Sequence, residues 1–470
     1  MGQISREEIL SIYERGAESV IELVESLSGQ IARIERELQS LREQVGRNSR
    51  NSSKPPSSDG FKRVVHTRKA SGKKRGGQPG HKGNHLPFAL HPDTQIVHSP
   101  NCCPDCGESL AESPVIEEER RQIIDIPKPV ASVVEHLAQT KECSHCRRRV
   151  KASFPENVRH RVEYGENISA LVVYLSVEHA VSIDRIAEII ESFSGFRPSA
   201  GTLCSMIERC AELIKPAEAV IVEGIAQAPV ANFDESGVRA QECKWLHSAS
   251  TETLTHYAVH PRRGNEAMDA INILPRFQGV AVHDFLKAYL RYECQHSFCN
   301  AHLLRELQWF SEERKHPWAD KISETLLLLR RLSLEETRAE EEIDKARQRY
   351  DVLVEKALEQ HPPNILIGKK RVAQSKEHNF LERLRKYKDD ILRFLYDPRV
   401  PFTNNLAERD IRPIKTKLKV SGCFRSDNGA EAYCRIRSYC STAKKQLYGV
   451  WNALRDAFDA KPFIPNIEFA

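Results

Sequence analysis

The feature that most constrains this fold is one β-prone segment, residues 229–300, set among long helical stretches. It holds four short apolar runs, at 229–234, 244–250, 253–259 and 279–284. A helical pattern at about 264–274 precedes the last run. Three strands in an antiparallel meander, then a crossover to a fourth, are the order of an RNase H-like domain. Residues 303–395 are helical and charged, so we expect an all-helical insertion in that domain.

Two of these runs end in aspartate. Asp234 closes the first run and Asp284 closes the last. An apolar strand that runs into an aspartate delivers a metal ligand to the edge of a buried sheet. Phosphoryl transfer with two Mg²⁺ ions needs hard oxygen ligands from several elements. The sequence therefore predicts a carboxylate site for Mg²⁺, or Mn²⁺, that holds both aspartates.

A third carboxylate is expected from a helix, and Glu408, Asp397 and Asp410 are the candidates. Glu408 is preferred because Asn404 and Asn405, just before it, can cap the helix. A single acidic residue is most often a solvated surface charge. The three acids stand out only as a set with their flanking residues.

Basic residues follow Glu408 and predict contact with DNA. Arg412 and Lys415 fall at helical spacings from Glu408, so the acid and two cations can share one face. Pro413 is expected to kink or end the helix there. The stretch Arg412, Lys415, Lys417 and Lys419 suits the phosphates of a DNA end.

Two Cys-x-x-Cys pairs predict a structural zinc site. Cys103 and Cys106 form one pair, and Cys143 and Cys146 form the other. Each pair presents two thiolates to one tetrahedral Zn²⁺ from one side. A β-hairpin, with strands at 122–126 and 130–137, is expected between them; Cys102 is read as a bystander. The alternative is free or redox-active thiols.

The N-terminal 46 residues predict a coiled coil that mediates self-association. Apolar residues alternate in steps of four and three at Val20, Val24, Leu27, Ile31, Ile34, Leu38, Leu41 and Val45. This is the a/d seam of a heptad repeat. An amphipathic helix that packs on its own chain is the alternative.

The following stretch is basic and unable to bury a core. Residues 47–86 hold eleven Lys/Arg against one Asp, whereas residues 1–46 hold five Lys/Arg against nine Asp/Glu. Lys73, Lys74 and Arg75 form the densest basic run. The stretch is interpreted either as a solvated spacer or as a basic arm along DNA phosphates.

Residues 160–226 are helical and contain a pattern with helix-turn-helix proportions. The pattern runs from Ile183 through Gly195 at the turn to Cys210, and Ser199 is a candidate N-cap. A generic helical hairpin is the alternative. The chain shows no secretory signal and no run of about 18 apolar residues, so a cytoplasmic location with no membrane partner is expected.

Together these patterns predict a multidomain α+β chain. Its parts are a coiled coil (1–46), a basic disordered linker (47–98), a zinc-binding domain (99–155), a helical DNA-binding region (160–226), an RNase H-like α/β catalytic core (227–302 and 401–470) and its helical insertion (303–400).

The chain resembles the insertion-sequence-66 family of bacterial transposases over nearly its whole length. Beside the zipper and the paired Cys-x-x-Cys, the matching strings are 51–59, 76–83, 234–239, Asp284 with Ala288 and Tyr289, 299–307 and 404–413. The resemblance implies a DDE transposase with Asp234, Asp284 and Glu408 as its metal-binding triad. It also implies terminal inverted repeats and target DNA as substrates, at least a dimer, a nucleoid-associated location and small accessory proteins of the same element.

Two positions depart from the family pattern. Thr403 stands where the family usually has aspartate, and Phe285-Leu286 stands where it has Gly-Tyr. Cys299 and His302 form a pair beyond the second acid, for which packing and hydrogen bonding are preferred over metal binding. A non-catalytic zinc-containing DNA-binding regulator, a decayed transposase copy and a nuclease that only hydrolyses are the alternatives to a transposase.

Overall fold

A computed structural model describes residues 6–46, 88–124, 131–155, 158, 160–240, 243–335, 340–364 and 373–467. The basic run Lys73, Lys74 and Arg75 lies outside the described residues. The helices are α1 Arg6–Glu14, α2 Ala17–Gly46, α3 Glu166–Val173, α4 Ile183–Ser194, α5 Ala200–Leu213, α6 Lys215–Gln227, α7 Asn265–Ile271, α8 Asn300–Glu312, α9 Pro317–Ser333, α10 Glu340–Gln360, α11 Lys376–Lys386, α12 Lys388–Ile391, α13 Asn405–Ser421, α14 Asp427–Lys445 and α15 Val450–Phe458. The strands are β1 Thr140–Glu142, β2 Arg149–Lys151, β3 Val230–Arg239, β4 Cys243–Ser250, β5 Thr255–His260, β6 Val280–His283 and β7 Gln295–Phe298.

The N-terminal helix α2 is continuous over 30 residues. Six residues of the heptad seam have exposed fractions between 38% and 60%: Val24, Leu27, Ile31, Ile34, Leu38 and Leu41. The described part of the chain does not bury this apolar stripe, which disfavours an amphipathic helix packed on that part of the protein. The coiled coil itself remains a prediction.

Strands β3 to β7 form one five-stranded sheet in the order β5-β4-β3-β6-β7. The first three strands are an antiparallel meander, and β6 is parallel to β3. The predicted meander, crossover helix and fourth strand are therefore confirmed. Strand β7, parallel to β6, was not predicted. Its sequence, Gln-His-Ser-Phe, lacks β-branched residues and is buried only at its final two positions.

The two faces of the sheet are covered by different helices. Side chains alternate along β3, so Phe233 packs with α6 and α7 on one face, and Val238 packs with α13, α14 and α15 on the other. Asp234 therefore lies on the face that α13 covers. This alternation decides which neighbours each acidic residue of β3 meets.

Helices α8 to α12 form the predicted insertion. The described residues of the insertion contain no strand. Their apolar side chains make one cluster that continues into the sheet through Val280, Val282 and Phe298. Phe285 stacks on Phe298, with ring centroids 3.8 Å apart, and the guanidinium of Arg383 lies 4.4 Å from the Phe285 ring. Phe285, which belongs to one of the two departures from the family pattern, thus packs the insertion against the end of β6.

Helices α4 and α5 have the predicted helix-turn-helix proportions. Gly195 ends α4 in the left-handed conformation, with φ of 77°, and Ser199 caps α5 by accepting a hydrogen bond from the Thr202 N–H. No helix in the described part of the chain is long and apolar enough to cross a membrane.

Helix α13 is anchored to the sheet by a buried acid. The carboxylate of Asp410 accepts hydrogen bonds from Ser250, Thr255 and Lys445 at 2.8, 3.2 and 2.8 Å. The side chains of Asp410 and Lys445 are 10% and 13% exposed. Asp410 is therefore satisfied by its own chain, whereas Asp397 pairs with Arg399.

Asp410→Asn removes the charge that faces Lys445 and keeps the size of the side chain. Because the lysine then stays buried without a counter-charge, we expect the free energy of unfolding to fall by about 3 kcal/mol, measured through the thermal midpoint. Asp397→Asn is the matched control: its partner Arg399 is 58% exposed, and exposed pairs contribute about 0–1 kcal/mol. Equal midpoints in the two variants would contradict the anchoring role.

Candidate active site and zinc-binding region

The register of the sheet brings two of the predicted acids to the same level. Asn232 of β3 pairs with Val282 of the parallel strand β6. Two residues further along the chain from this pair lie Asp234, on β3, and Asp284, immediately after the end of β6, so both carboxylates emerge at the same height of the sheet. Asp234 was predicted to close its strand, and this is wrong: β3 continues to Arg239 because it keeps pairing with β4.

Glu408 lies in the first turn of α13, which packs on β3. Asn404, the residue before α13, is 2% exposed. Its side chain makes no helix cap, contrary to expectation, because it donates to the Phe233 carbonyl and accepts from the Asn232 amide, both at 2.8 Å. We call these two hydrogen bonds the Asn404 bridge. The bridge holds the beginning of α13 against β3, next to Asp234.

Asp234 lies in buried and negatively charged surroundings. Burial and the charges of Glu235, Asp284 and Glu408 together raise the pKa of Asp234 to about 8, although the Glu235 N–H lowers it. In the described part of the chain, no lysine or arginine pairs with Asp234, Asp284 or Glu408. A buried Glu408 Oε1 has no hydrogen-bond partner. These hard, like-charged oxygen donors fit divalent cations.

Glu235, which the sequence reasoning did not single out, points to the opposite face of β3. Its buried carboxylate accepts hydrogen bonds from the Tyr289 hydroxyl and from Arg263, both at 2.6 Å. The guanidinium of Arg263 lies 4.8 Å from the ring centre of Trp245. Trp245 is half-buried and supports an arginine beside the site. The sequence could have indicated this residue, because Asp234 and Glu235 are adjacent on one strand and adjacent strand residues face opposite sides.

Helix α13 carries the predicted phosphate-binding cations. Arg412, Lys415 and Lys419 are exposed, whereas Lys417 is half-buried and donates to the Ser176 carbonyl at 3.4 Å. The expectation that Pro413 kinks or ends the helix is wrong in its stronger form, since α13 continues to Ser421. Buried Ile411 and Ile414 on either side of the proline hold the helix to the core.

The two cysteine pairs form matching turns. Cys103 and Cys143 each accept, at the carbonyl, a hydrogen bond of 2.9 Å from the N–H four residues on. The backbone N–H groups of Cys106 and Cys146 also lower the pKa of the Cys103 and Cys143 thiols. Each turn is therefore a preformed zinc knuckle. No three of these sulfur atoms lie within 4.8 Å of one another.

The hairpin of this region is not where the sequence predicted it. The described residues at 122–124 and 131–137 form no strand. Instead β1 and β2 pair around the second knuckle, and a single bridge joins Cys102 to Ser109 around the first. Local turn geometry at each knuckle therefore prevails over the β-prone composition between them.

Comparison with known families agrees with this site. A family model described as "Transposase IS66 family" matches residues 161–432, more than half of the chain and the segment with all three acids. One described as "zinc-finger binding domain of transposase IS66" matches residues 100–147, with both knuckles. The protein is of the transposase class. It belongs to the IS66 transposase family, with a structural zinc-binding domain.

Two further similarities are less informative. A family of unknown function (DUF6444) matches residues 8–87. The uncharacterized protein y4jO of Sinorhizobium fredii (strain NBRC 101917 / NGR234) is 36% identical over 76 residues. The similarity covers 16% of this chain and 24% of that protein, so it carries no argument about activity.

Asp234→Asn tests the electrostatics of the site through stability. The folded-state pKa of about 8 lies above the value of about 4 in an unfolded chain. The protonated carboxyl therefore favours folding below pH 4, and this contribution is lost as the pH rises to 8. Asparagine does not ionise, so the variant carries no buried negative charge at high pH. It should therefore have a higher thermal midpoint than the wild type at pH 9 without added magnesium.

At pH 4 the midpoints of wild type and variant should converge. Added Mg²⁺ at pH 8 should raise the midpoint of the wild type and leave that of the variant nearly unchanged. A difference between the two proteins that is the same at both pH values would refute this account.

Proposed function

We propose that this chain is a DDE-type DNA transposase that cuts DNA at the ends of its element and joins them to target DNA. The observation that carries the proposal is the placement of three carboxylates without cationic partners. Asp234 on β3 lies level with Asp284 just after the parallel strand β6, and the Asn404 bridge holds the helix of Glu408 against β3. Phosphoryl-transfer sites need hard oxygen ligands from separate elements.

The topology supports an RNase H-like core for this chemistry. An antiparallel meander followed by two strands parallel to its first strand, in the order 3-2-1-4-5, is the expected arrangement. Acids on the first and fourth strands then meet at the centre of the sheet. The third acid comes from a helix that begins after the insertion.

Asp234, Asp284 and Glu408 would hold Mg²⁺ or Mn²⁺. Bound there, divalent ions activate the attacking oxygen and stabilise the leaving oxygen. Water attacks the phosphodiester at the element end and frees a 3′-OH. This hydroxyl then attacks a phosphodiester of the target, so one phosphate bond is broken for each bond formed. Exposed Arg412, Lys415 and Lys419 on α13 are suited to hold DNA phosphates during both steps.

DNA contact by α5 is less well supported. Its exposed residues include Glu208 and Glu212, and its Arg209 is paired with Glu166 at 2.7 Å. A recognition helix that approaches phosphates usually presents cations. We therefore assign α4 and α5 to packing, and assign DNA binding to α13, the zinc-binding domain and the basic run at 73–75. These contacts would keep the protein at the nucleoid.

Self-association through α2 fits a reaction that must hold two DNA ends together. In the heptad register, the a positions are Val24, Ile31, Leu38 and Val45, and the d positions are Val20, Leu27, Ile34 and Leu41. Apolar residues at both positions form the seam along which helices of a coiled coil associate. Small accessory proteins of the same element would complete the assembly.

Neutralising the acids tests the activity. Asp234→Asn, Asp284→Asn and Glu408→Gln should each reduce strand cleavage and joining by at least about 100-fold, since even the loss of a residue that supports a metal ligand costs about 10–100-fold. The assay uses purified full chain, Mg²⁺ or Mn²⁺, and DNA with the inverted repeats that flank the gene. Asp397→Asn is the control and should retain activity.

The alternatives predict other results in the same assay. DNA binding without products from the wild type would indicate a regulator or a decayed copy. Cleavage without joining would indicate a nuclease. Equal activity of Asp397→Asn and Glu408→Gln would remove Glu408 from the site.

Ile31→Lys tests the seam of α2. A lysine at a central a position places a charge inside the coiled coil, so the molecular mass in solution, measured by light scattering, should fall to that of a monomer. Ser26→Lys, at the outward c position of the same helix, is the matched control and should keep the mass of the wild type. A monomeric wild type, or an unchanged mass in Ile31→Lys, would refute association through α2.

A further inference from the structure

Three potential metal ligands of different chemistry meet behind the proposed third acid. Cys299 precedes α8, His302 lies in its first turn, and Glu408 lies in the first turn of α13. One ligand atom from each residue lies within 4.8 Å of the other two. Among the residues that the structure describes, no other three His, Cys, Asp or Glu side chains bring ligand atoms this close together, and Asp234, Asp284 and Glu408 do not.

Two atoms of this group are buried without a hydrogen-bond partner. They are His302 Nδ1 and Glu408 Oε1, which face each other at 4.0 Å. This distance is too long for a hydrogen bond. Buried polar atoms without a partner are rare and often mark a missing ion or water. A tetrahedral zinc ion would hold the two atoms about 3.4 Å apart, so the gap needs to close by about half an ångström.

The N–H donors at the Cys299 sulfur have the same sequence spacing as those of the zinc knuckles, although burial raises the pKa of the Cys299 thiol, whereas hydrogen bonds lower the pKa of Cys103 and Cys143. Cys299 Sγ accepts a hydrogen bond from the Asn404 N–H at 3.2 Å, and the N–H groups of Ala301 and His302 also point to it. These donors stand two and three residues after the cysteine. N–H donors at the same two spacings serve Cys103 and Cys143. Cys299-x-x-His302 is thus a third knuckle, with histidine in place of the second cysteine.

We propose that Cys299, His302 and Glu408 form a binding site for Zn²⁺, separate from the cysteine knuckles and adjoining the proposed Mg²⁺ site, with which it shares Glu408. A thiolate, an imidazole and one carboxylate oxygen make a set that suits zinc, whereas Mg²⁺ takes oxygen ligands. Three protein ligands leave a fourth position for water. The His302 and Glu408 side chains are 20% and 25% exposed, so the ion has a path from solvent.

Zinc at this site has a consequence that rests on the proposed function. Glu408 would be shared between the zinc ion and the Mg²⁺ held with Asp234 and Asp284. A carboxylate that is engaged on the His302 side is drawn away from the other two acids. Zinc therefore inhibits cleavage and joining by occupying a ligand of the catalytic ions.

Metal binding is tested without reference to activity. The full chain, with its cysteine knuckles already loaded with zinc, is titrated with Co²⁺, which takes zinc sites and absorbs in the near ultraviolet when bound by a thiolate. The wild type should bind one additional Co²⁺ with this absorption. Cys299→Ser keeps a hydrogen-bond acceptor but removes the thiolate, so the band should disappear and the affinity fall at least about tenfold.

Two further variants keep the test decisive. His302→Asn retains the sulfur and should weaken Co²⁺ binding at least about tenfold, even if Cys299→Ser fails to fold. Cys294→Ser removes another buried thiol and should leave the band unchanged. The same band in wild type and Cys299→Ser, or no additional Co²⁺ in the wild type, would overturn the site.

Inhibition is tested separately, as the ratio of activity with and without Zn²⁺ for each protein at constant Mg²⁺. His302→Asn should need at least about ten times more zinc than the wild type for half-inhibition. Equal zinc sensitivity would overturn the inhibitory role. An inactive wild type that still shows the cobalt band would contradict the proposed function and not the zinc site.

Discussion

The contact on which the rest of the active site depends is the Asn404 bridge. One amide group offers a donor and an acceptor together, and Asn404 uses both on β3, one to Asn232 and one to Phe233. Its backbone N–H reaches Cys299 at the beginning of the insertion. Because these groups are buried, leaving any of them unpaired would cost about 1–3 kcal/mol. The Asn404 contacts thereby join two of the chain segments that carry the acids, β3 and α13, to the beginning of the insertion.

The alternation of side chains along β3 places its two neighbouring acids, Asp234 and Glu235, in different surroundings. On one face, Glu235 accepts hydrogen bonds from a hydroxyl and a guanidinium, so its carboxylate has partners within the chain. Asp234 faces Asp284 and Glu408 on the other, where burial and like charges raise its pKa. Protonation or a bound cation would relieve that repulsion. The same strand thus contributes both a supporting residue and a residue of the proposed metal site.

The insertion is part of the site. Its first helix begins beside the Cys299 sulfur, and α11 reaches the end of β6 through Arg383, which lies over Phe285 and pairs with Glu306 at 2.6 Å. The loop after Asp284 is therefore held by aromatic and ionic contacts. A phenylalanine at this position supplies the ring that these contacts need.

The sequence by itself determined the local features: the meander, the acids that follow apolar runs, the cysteine knuckles and the helical insertion. Each leaves a periodic or spaced pattern within a few residues. Only the tertiary structure decided that Asp410 is an anchor, that α13 continues through Pro413 and that Asn404 bridges to β3. The partners of the Asn404 bridge are 172 residues apart for Asn232 and 171 for Phe233. Such pairings leave no local pattern, because packing of distant segments creates them.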